Sequence, residues 1–333
     1  MKTSWKPPLA AGVVLAALTG ASAGAGASPD AGAAQGCVPR TNVEAIVDDS
    51  GSMAFNDSND LRIRAMELFI DTQGNEKRTL GAVEFGSDAT PLFGPGLIGQ
   101  DPGGFKAALN AALVEDGGAT DYNAAFAAAG AHNPNANARI FLTDGEHTDD
   151  PAYAEGHRGG PPVYVIGLGA GAPGGPSDEL LKRIAGETGG LYSRADDASG
   201  LQAAMFELNT AIACQAPPKR FSDSFIRTGQ TASHRIAIPR RVNTAQFALS
   251  WEDAEDAFTI GGFRVVRRGK VVGKASQRRV RRLKVSRRRG ATFTTVRVSR
   301  LVRGKLRFEV RAKRLSTPGV PVDLTTQVSR TRR

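Results

Sequence analysis

Asp48, Ser50 and Ser52 set one carboxylate and two hydroxyls at alternate positions of a turn that follows the apolar run Val43 to Val47, with Gly51 keeping the turn permissive. No thiol or imidazole stands near them in the sequence. An all-oxygen donor set of this kind suits a hard cation, Mg²⁺, Mn²⁺ or Ca²⁺, rather than zinc. Two further stretches offer the same chemistry: Gly117-Gly118-Ala119-Thr120-Asp121, and Ile140-Phe141-Leu142-Thr143-Asp144-Gly145, a strand-like run ending in a carboxylate. Any one of the three is an ordinary polar turn, Ser and Asp being common turn formers. In order along one chain, with Asp48, Ser50, Ser52, Thr120 and Asp144 as candidate ligands, they describe the walls of one metal site.

Such walls need a scaffold, and the surrounding pattern supplies one. Val43 to Val47, Leu80 to Phe85, Ile140 to Thr143, Pro162 to Gly167 and Leu191 to Arg194 read as strands, with Pro91 to Gly96 returning as a short edge strand. Glu44, inside the first of them, has no evident role. Ser58 and Asn59 can cap a helix carrying Ile63, Met66 and Ile70, while Phe105 to Leu113 and Tyr122 to Ala129 are Ala-rich helices on either side of the Gly117-Gly118 loop. Residues 176–189 form a helix with Ser177 at the cap, Asp178 and Glu179 in the first turn and Gly189 at the stop. A last helix repeats Leu201, Met205, Leu208 and Ile212 on one stripe and ends at Cys214. Strands alternating with helices predict an α/β fold, a doubly wound, mostly parallel, Rossmann-like sheet covered on both faces. Ligands of such sheets sit beyond the carboxyl ends of the strands, where Asp48 and Asp144 both fall.

The D-x-S-x-S turn, the Gly-rich loop bearing Thr120 and the strand ending in Thr143-Asp144-Gly145 together resemble the von Willebrand factor type A family and its metal-ion-dependent adhesion site, MIDAS, across residues 40–213. The resemblance implies that Ser50, Ser52 and Thr120 offer hydroxyl oxygens, that Asp48 and Asp144 ligate partly through water, and that one coordination position is left for a carboxylate from a protein or glycan partner. It also implies binding rather than catalysis. A mostly neutral hydroxyl set would leave Mg²⁺ electrophilic enough to take that carboxylate. Asp57, Asp60, Asp121, Glu146, Asp149 and Asp150 form an acidic rim, read as solvated loop carboxylates, and His147 reads as a surface histidine with no nucleophile beside it. Gly167-Leu168-Gly169-Ala170-Gly171 lacks the spacing of a dinucleotide loop, and no G-x-x-x-x-G-K-[ST] sequence supports ATP-driven metal insertion. The expectation is therefore no enzyme and no organic cofactor.

Charge divides the chain. Residues 215–333 hold 30 of the 43 Lys and Arg but only 7 of the 33 Asp and Glu, so the back is net +23 and the front net −13. Lys2 and Lys6 precede the apolar segment Leu9 to Leu18 and small residues at Ala21 to Ala27, the order of a secretory signal peptide over residues 1–27. That segment is too short for a stable transmembrane anchor. An Ala/Gly linker follows at 28–36, then a first domain at 37–214 and a second at 215–333. Cys37 and Cys214 bracket the first domain, and in a secreted or cell-surface protein a disulfide between them is expected, worth about 5 kcal/mol on the chain-entropy model.

Beyond Pro217-Pro218 the runs His234 to Ile238, Ala245 to Trp251, Phe258 to Val266, Val280 to Val285, Ala291 to Val298, Lys305 to Val310 and Val322 to Val328 predict a small all-β sandwich, similar to modules that follow type A domains in exported bacterial proteins. In Arg279 to Val285, Val296-Arg297-Val298 and Leu306 to Arg311, apolar residues alternate with basic ones. Three readings stand side by side: edge protection by charge, attachment to an anionic envelope polymer, and docking of the basic module on the acidic front. Few aromatics interleave with these cations, which argues against sequence-specific nucleic-acid binding.

Overall fold

Strand β1 (Asn42–Asp48) is buried at every position from Val43 onward, the signature of a central strand in a parallel sheet covered on both faces. In the computed structural model, which describes residues 38–57, 60–72, 77–114, 117–145, 147, 157–169, 174–215, 217–275, 280–290 and 292–329, it pairs in parallel with β2 (Thr79–Phe85) and β4 (Ala138–Thr143). The sheet continues through β5 (Val163–Leu168) to β6 (Leu191–Ala195), and β3 (Ala89–Leu97) returns antiparallel along the far edge of β2. The order β3-β2-β1-β4-β5-β6 reverses direction between β1 and β4, so a crevice opens at the carboxyl ends of those two strands.

Period-two alternation splits the core into two layers. Val43, Ala45 and Val47 pack with α2 (Leu61–Thr72), α3 (Pro102–Ala112) and α6 (Ala198–Ile212), whereas Ile46, Val83 and Phe141 meet α4 (Tyr122–His132) and α5 (Pro176–Thr188). The α6 stripe of Leu201, Met205, Leu208 and Ile212 is buried as expected. A short helix, α1 (Met53–Asn56), follows the Ser50–Ser52 turn.

Two helix starts differ from the expected ones. Ser58 and Asn59 lie outside the described residues, and the first amides of α2 are taken by Asp57, whose Oδ1 accepts from Leu61 N at 2.5 Å and Oδ2 from Arg62 N at 3.0 Å. Helix α5 starts after Gly175 with no side-chain cap; Ser177 sits one residue inside it, and Gly189 ends it in the left-handed conformation. Glu44 now has a place. Its Oε1 lies 2.7 Å from His132 Nδ1 at the end of α4, and a Cβ on Gly81 would come within 2.3 Å of its Oε2. Burial pushes this carboxyl up, against hydrogen bonds from His132 and Asn133.

The back of the chain forms two five-stranded sheets. One runs β12 (Arg281–Arg282), β11 (Lys270–Lys274), β10 (Ala257–Arg267), β15 (Gly304–Arg314), β8 (Thr231–Ile238); the other runs β13 (Lys284–Arg289), β14 (Phe293–Ser299), β9 (Thr244–Ser250), β16 (Val320–Ser329), β7 (Lys219–Phe225). Phe247, Phe263, Phe308, Leu306 and Val298 fill the space between them. Strands β7 and β11 were not anticipated, and the single strand expected over Val280 to Val285 is divided: buried Leu283 separates β12 from β13, which join different sheets.

Front and back belong to one compact unit. On β9, Ala245, Phe247 and Leu249 face the sandwich core, while Gln246 and Ala248 meet the helices of the front: Gln246 Nε2 donates to Thr72 O at 2.6 Å and Gln202 Nε2 to Ala248 O. Arg288 pairs with Asp71 and Arg220 with Glu207 beside this seam. One basic sheet thus docks on the acidic front, largely through neutral amides and small residues. Residues 1–36, where the signal peptide and linker are expected, and Cys37 lie outside the described residues. Arg40 N donates to Ile212 O at 2.8 Å, which sets the start of β1 beside the end of α6. Among the described residues no helix is long and apolar enough to cross a membrane.

Candidate metal site

Asp48 ends β1 and Asp144 directly follows β4, so sheet register alone brings the two carboxylates to one rim. Backbone hydrogen bonds then sew the loops around them. Gly51 N donates to Gly118 O at 2.9 Å and Gly117 N to Asp49 O at 3.1 Å, which lays the loop bearing buried Thr120 against the Ser50–Ser52 turn. The approach requires glycine: a Cβ on Gly86 would stand 2.0 Å from Gly117 O, and Gly118 has φ of 74°.

The Asp48 carboxylate is fully buried and richly bonded. Its Oδ1 accepts from Ser50 N at 2.9 Å and from Ser50 Oγ at 2.6 Å, and its Oδ2 accepts from Thr143 Oγ1 at 2.6 Å. Since Thr143 spends its proton on Asp48 and also accepts from Gly145 N at 3.1 Å, the Tyr122 hydroxyl 3.0 Å away must donate to it. Ser50 Oγ lies 3.1 Å from Ser52 Oγ, and Asp144 Oδ2 accepts from Asn56 Nδ2 at 3.2 Å. Burial pushes the Asp48 carboxyl up to about 7, with the charge of Asp144 adding to the rise and the Ser50 and Thr143 hydrogen bonds opposing it.

Of the five candidate ligands, Asp48, Ser50 and Ser52 form one hydrogen-bonded cluster, Asp144 joins it through its field on Asp48, and Thr120 is carried to the same rim by the Gly117-Gly118 loop. Ser50 donates to Asp48 and so keeps hydroxyl lone pairs for a cation.

The acidic rim is less solvated than expected. Asp57 is buried against Arg62 Nη1 at 2.9 Å, and Arg62 Nη2 reaches Asp49 Oδ1 at 3.1 Å; all three side chains are between 0% and 3% exposed. Asp49 Oδ2 also accepts from Val114 N at 3.2 Å, so Arg62 fixes the turn after Asp48 and, through it, the approach to the Thr120 loop. Asp121 caps α4 through Ala124 N at 2.9 Å, and Asp60 is exposed. Glu146, Asp149 and Asp150 lie outside the described residues, as do residues 170–173 of the glycine-rich connection. His147 is partly buried, its ring 5.6 Å from that of Tyr122. The sequence reading missed Arg62, Thr143 and Tyr122 as supports of the site. Thr143 was legible in the Thr-Asp-Gly stretch itself; the cue to Arg62 was a cation at the second position of a helix whose start follows Asp49 and Asp57.

Residues 44–146 match the von Willebrand factor type A domain family. No curated protein sequence matches the chain. Solved structures similar to it include an aerotolerance-related membrane protein of Bacteroides fragilis with multiple mutations to serine, at 22% identity over 52% of this chain and 98% of that one, TM-score 0.42. A von Willebrand factor type A protein from Catenulispora acidiphila aligns at 16% identity over 87% of this chain and 64% of its own, TM-score 0.44. Proximal thread matrix protein 1 of the mussel byssus, with a zinc-occupied MIDAS motif, aligns at 18% identity over 56% and 50%, TM-score 0.42.

Proposed function

With residues 44–146 a von Willebrand factor type A domain, we propose that the chain is an exported or surface-exposed binding protein that takes a divalent cation on Asp48, Ser50, Ser52, Thr120 and Asp144 and engages a protein or glycan carboxylate through it. The observation that carries this reading is the cluster in which Ser50 and Thr143 hydroxyls hold the buried Asp48 carboxylate at 2.6 Å each. Mg²⁺ is the cation of choice, with Mn²⁺ or Ca²⁺ as substitutes: all five side chains offer oxygen, three of them neutral. The bound ion would supply Lewis acidity toward the partner's carboxylate, while the protein holds its own donors rigid and dry.

The same reading includes a Cys37–Cys214 disulfide. The Arg40–Ile212 backbone hydrogen bond, three residues after Cys37 and two before Cys214, supports it, as does the absence of a free cysteine among the described residues. Calorimetric titration of Mg²⁺ and Mn²⁺ into the mature chain tests the metal site. Saturable binding is expected for the wild type and loss of it in Asp48→Ala and Thr120→Ala, with unchanged far-UV circular dichroism. Equal cation binding in wild type and Asp48→Ala would remove the proposal.

A further inference from the structure

The sheet of the sandwich that turns away from the seam carries a row of cations that the fold aligns. Register pairs Arg235 on β8 with Arg307 on β15, Arg307 with Arg264 on β10, Arg264 with Lys274 on β11, and Lys274 with Arg282 on β12. Cross-strand partners share a face, so five basic side chains stand in one line across all five strands, over about 19 Å at the usual strand spacing. The alternation in β15 confirms the face: Leu306, Phe308 and Val310 are buried, while Arg307 and Arg311 are exposed.

Edge protection does not account for this row, because Arg307, Arg264 and Lys274 lie on interior strands. Like charges directly opposite one another cost the sheet stability. Glu309 lies 3.7 Å from Arg264, and among the described residues Arg235, Arg307, Lys274 and Arg282 have no carboxylate partner. A line of cations kept against its own repulsion is the complement of a line of anions. Arg235, Arg264 and Arg307 also line a shallow depression of about 400 Å³.

We propose that this face binds a linear acidic polysaccharide bearing about one sulfate or carboxylate per sugar ring, laid across the strands along the arginine row. One charge per ring repeats at a pitch close to that of adjacent strands, and each guanidinium can grip an oxyanion with two N–H groups. The next two rows on the Glu309 side add neutral hydrogen-bonding groups for sugar hydroxyls: Ser233 opposite Glu309, and Thr231 and Thr259 flanking Arg311. Among the described residues the outward positions of these strands carry no aromatic platform for stacked bases, Phe308 beside the depression being buried in the core, which sets nucleic acid aside. This binding needs no cation at Asp48, so it and the metal-dependent reading succeed or fail separately.

The test uses the full mature chain in chelator, with dextran sulfate and polygalacturonate as probes and polyphosphate and single-stranded DNA of matched charge as comparators. Affinity for both glycans is expected to fall with salt. In Arg235→Thr/Arg307→Thr the slope of log affinity against log salt should drop by about 1.4, with at least a tenfold loss at low salt. Arg235→Lys/Arg307→Lys, which keeps the charge, should restore the slope, and Lys219→Thr/Arg289→Thr on the other sheet should change affinity less than twofold. Equal losses in the two threonine pairs would reduce the effect to net charge and overturn the proposal. Tighter binding of polyphosphate or DNA than of either glycan would overturn it as well.

Discussion

Arg62 is where the support of the metal rim can be tested most sharply. Its guanidinium sits between Asp49 and Asp57 with all three side chains out of reach of solvent, so no screening discounts the interaction. Arg62→Met keeps much of the side-chain stem and removes the charge, leaving two buried carboxylates without their cation. Breaking such a pair by removing one partner costs about 3–5 kcal/mol, on the order of 10 °C in melting temperature for a domain of this size. The deficit should depend on pH in a definite sense. Burial already holds the Asp57 carboxyl above the usual carboxylate range, with the Arg62 contacts opposing the rise. Without them it rises further, so ionising Asp57 costs the folded state more above that value and nothing once it is protonated. The difference from wild type is thus largest near pH 7 and shrinks toward pH 4.5. Urea unfolding followed by far-UV circular dichroism at both pH values gives the numbers. A deficit under 1 kcal/mol at pH 7, or one that is flat with pH, would refute the assignment of Arg62 as the counter-charge of this site.

Other outcomes follow from the same geometry. Because Asp48 ionises only near 7, cation affinity measured by calorimetry should climb about tenfold per pH unit below that value and level off above it, a cation displacing one proton; affinity independent of pH from 5.5 to 8 would contradict this. By the same linkage, Asp48→Asn in chelator at pH 8 should raise stability by a few kcal/mol, since ionisation of Asp48 weakens the fold above the unfolded carboxylate range and has no such effect below it. Thr143→Val strips Asp48 of its Oδ2 donor and Tyr122 of its acceptor; loss of a hydrogen bond to a charged group predicts about 1.5–3 kcal/mol of weaker stability or cation binding, read by thermal melts with and without Mg²⁺. Gly86→Ala places a methyl against Gly117 O and should cost about 1–3 kcal/mol while lowering cation affinity by displacing the Thr120 loop.

What the sequence disclosed follows from how local each signal was. Strand ends and the D-x-S-x-S turn were legible because apolar runs and turn formers act through near neighbours, and Asp48 and Asp144 reach one rim by sheet register alone. Arg62 was hidden because a buried cation inside an amphipathic helix looks like a surface residue until its two carboxylates, from separate loops, are placed around it. Glu44 was similarly opaque: its partner His132 lies 88 positions away, and the space for its carboxylate is made by a missing side chain at Gly81. On β9 and β16, Gln246, Ser250, Thr325 and Gln327 alternate with apolar residues as solvent-facing positions do, yet all are buried, Gln246 through a carbonyl on α2. Alternation reports two faces and not what covers the second one. The run Val280 to Val285 misled for a related reason, since a two-residue strand and its successor can change sheets with no break in the pattern.

The seam between α6, β9 and β16 has a consequence for avidity. A flexible tether would give a second binding event an effective concentration set by chain length, tolerant of many ligand spacings. Gln246 and Gln202 bond across the seam to backbone carbonyls, and ion pairs close it at Asp71 and Glu207, so the candidate metal rim and the arginine row stand at one fixed separation. On the two proposed readings, a ligand whose carboxylate and acidic glycan match that span would gain the full multiplicative advantage of holding both. A ligand of any other span would be held by one surface at a time, which would make the molecule a gauge of distance between two chemical groups.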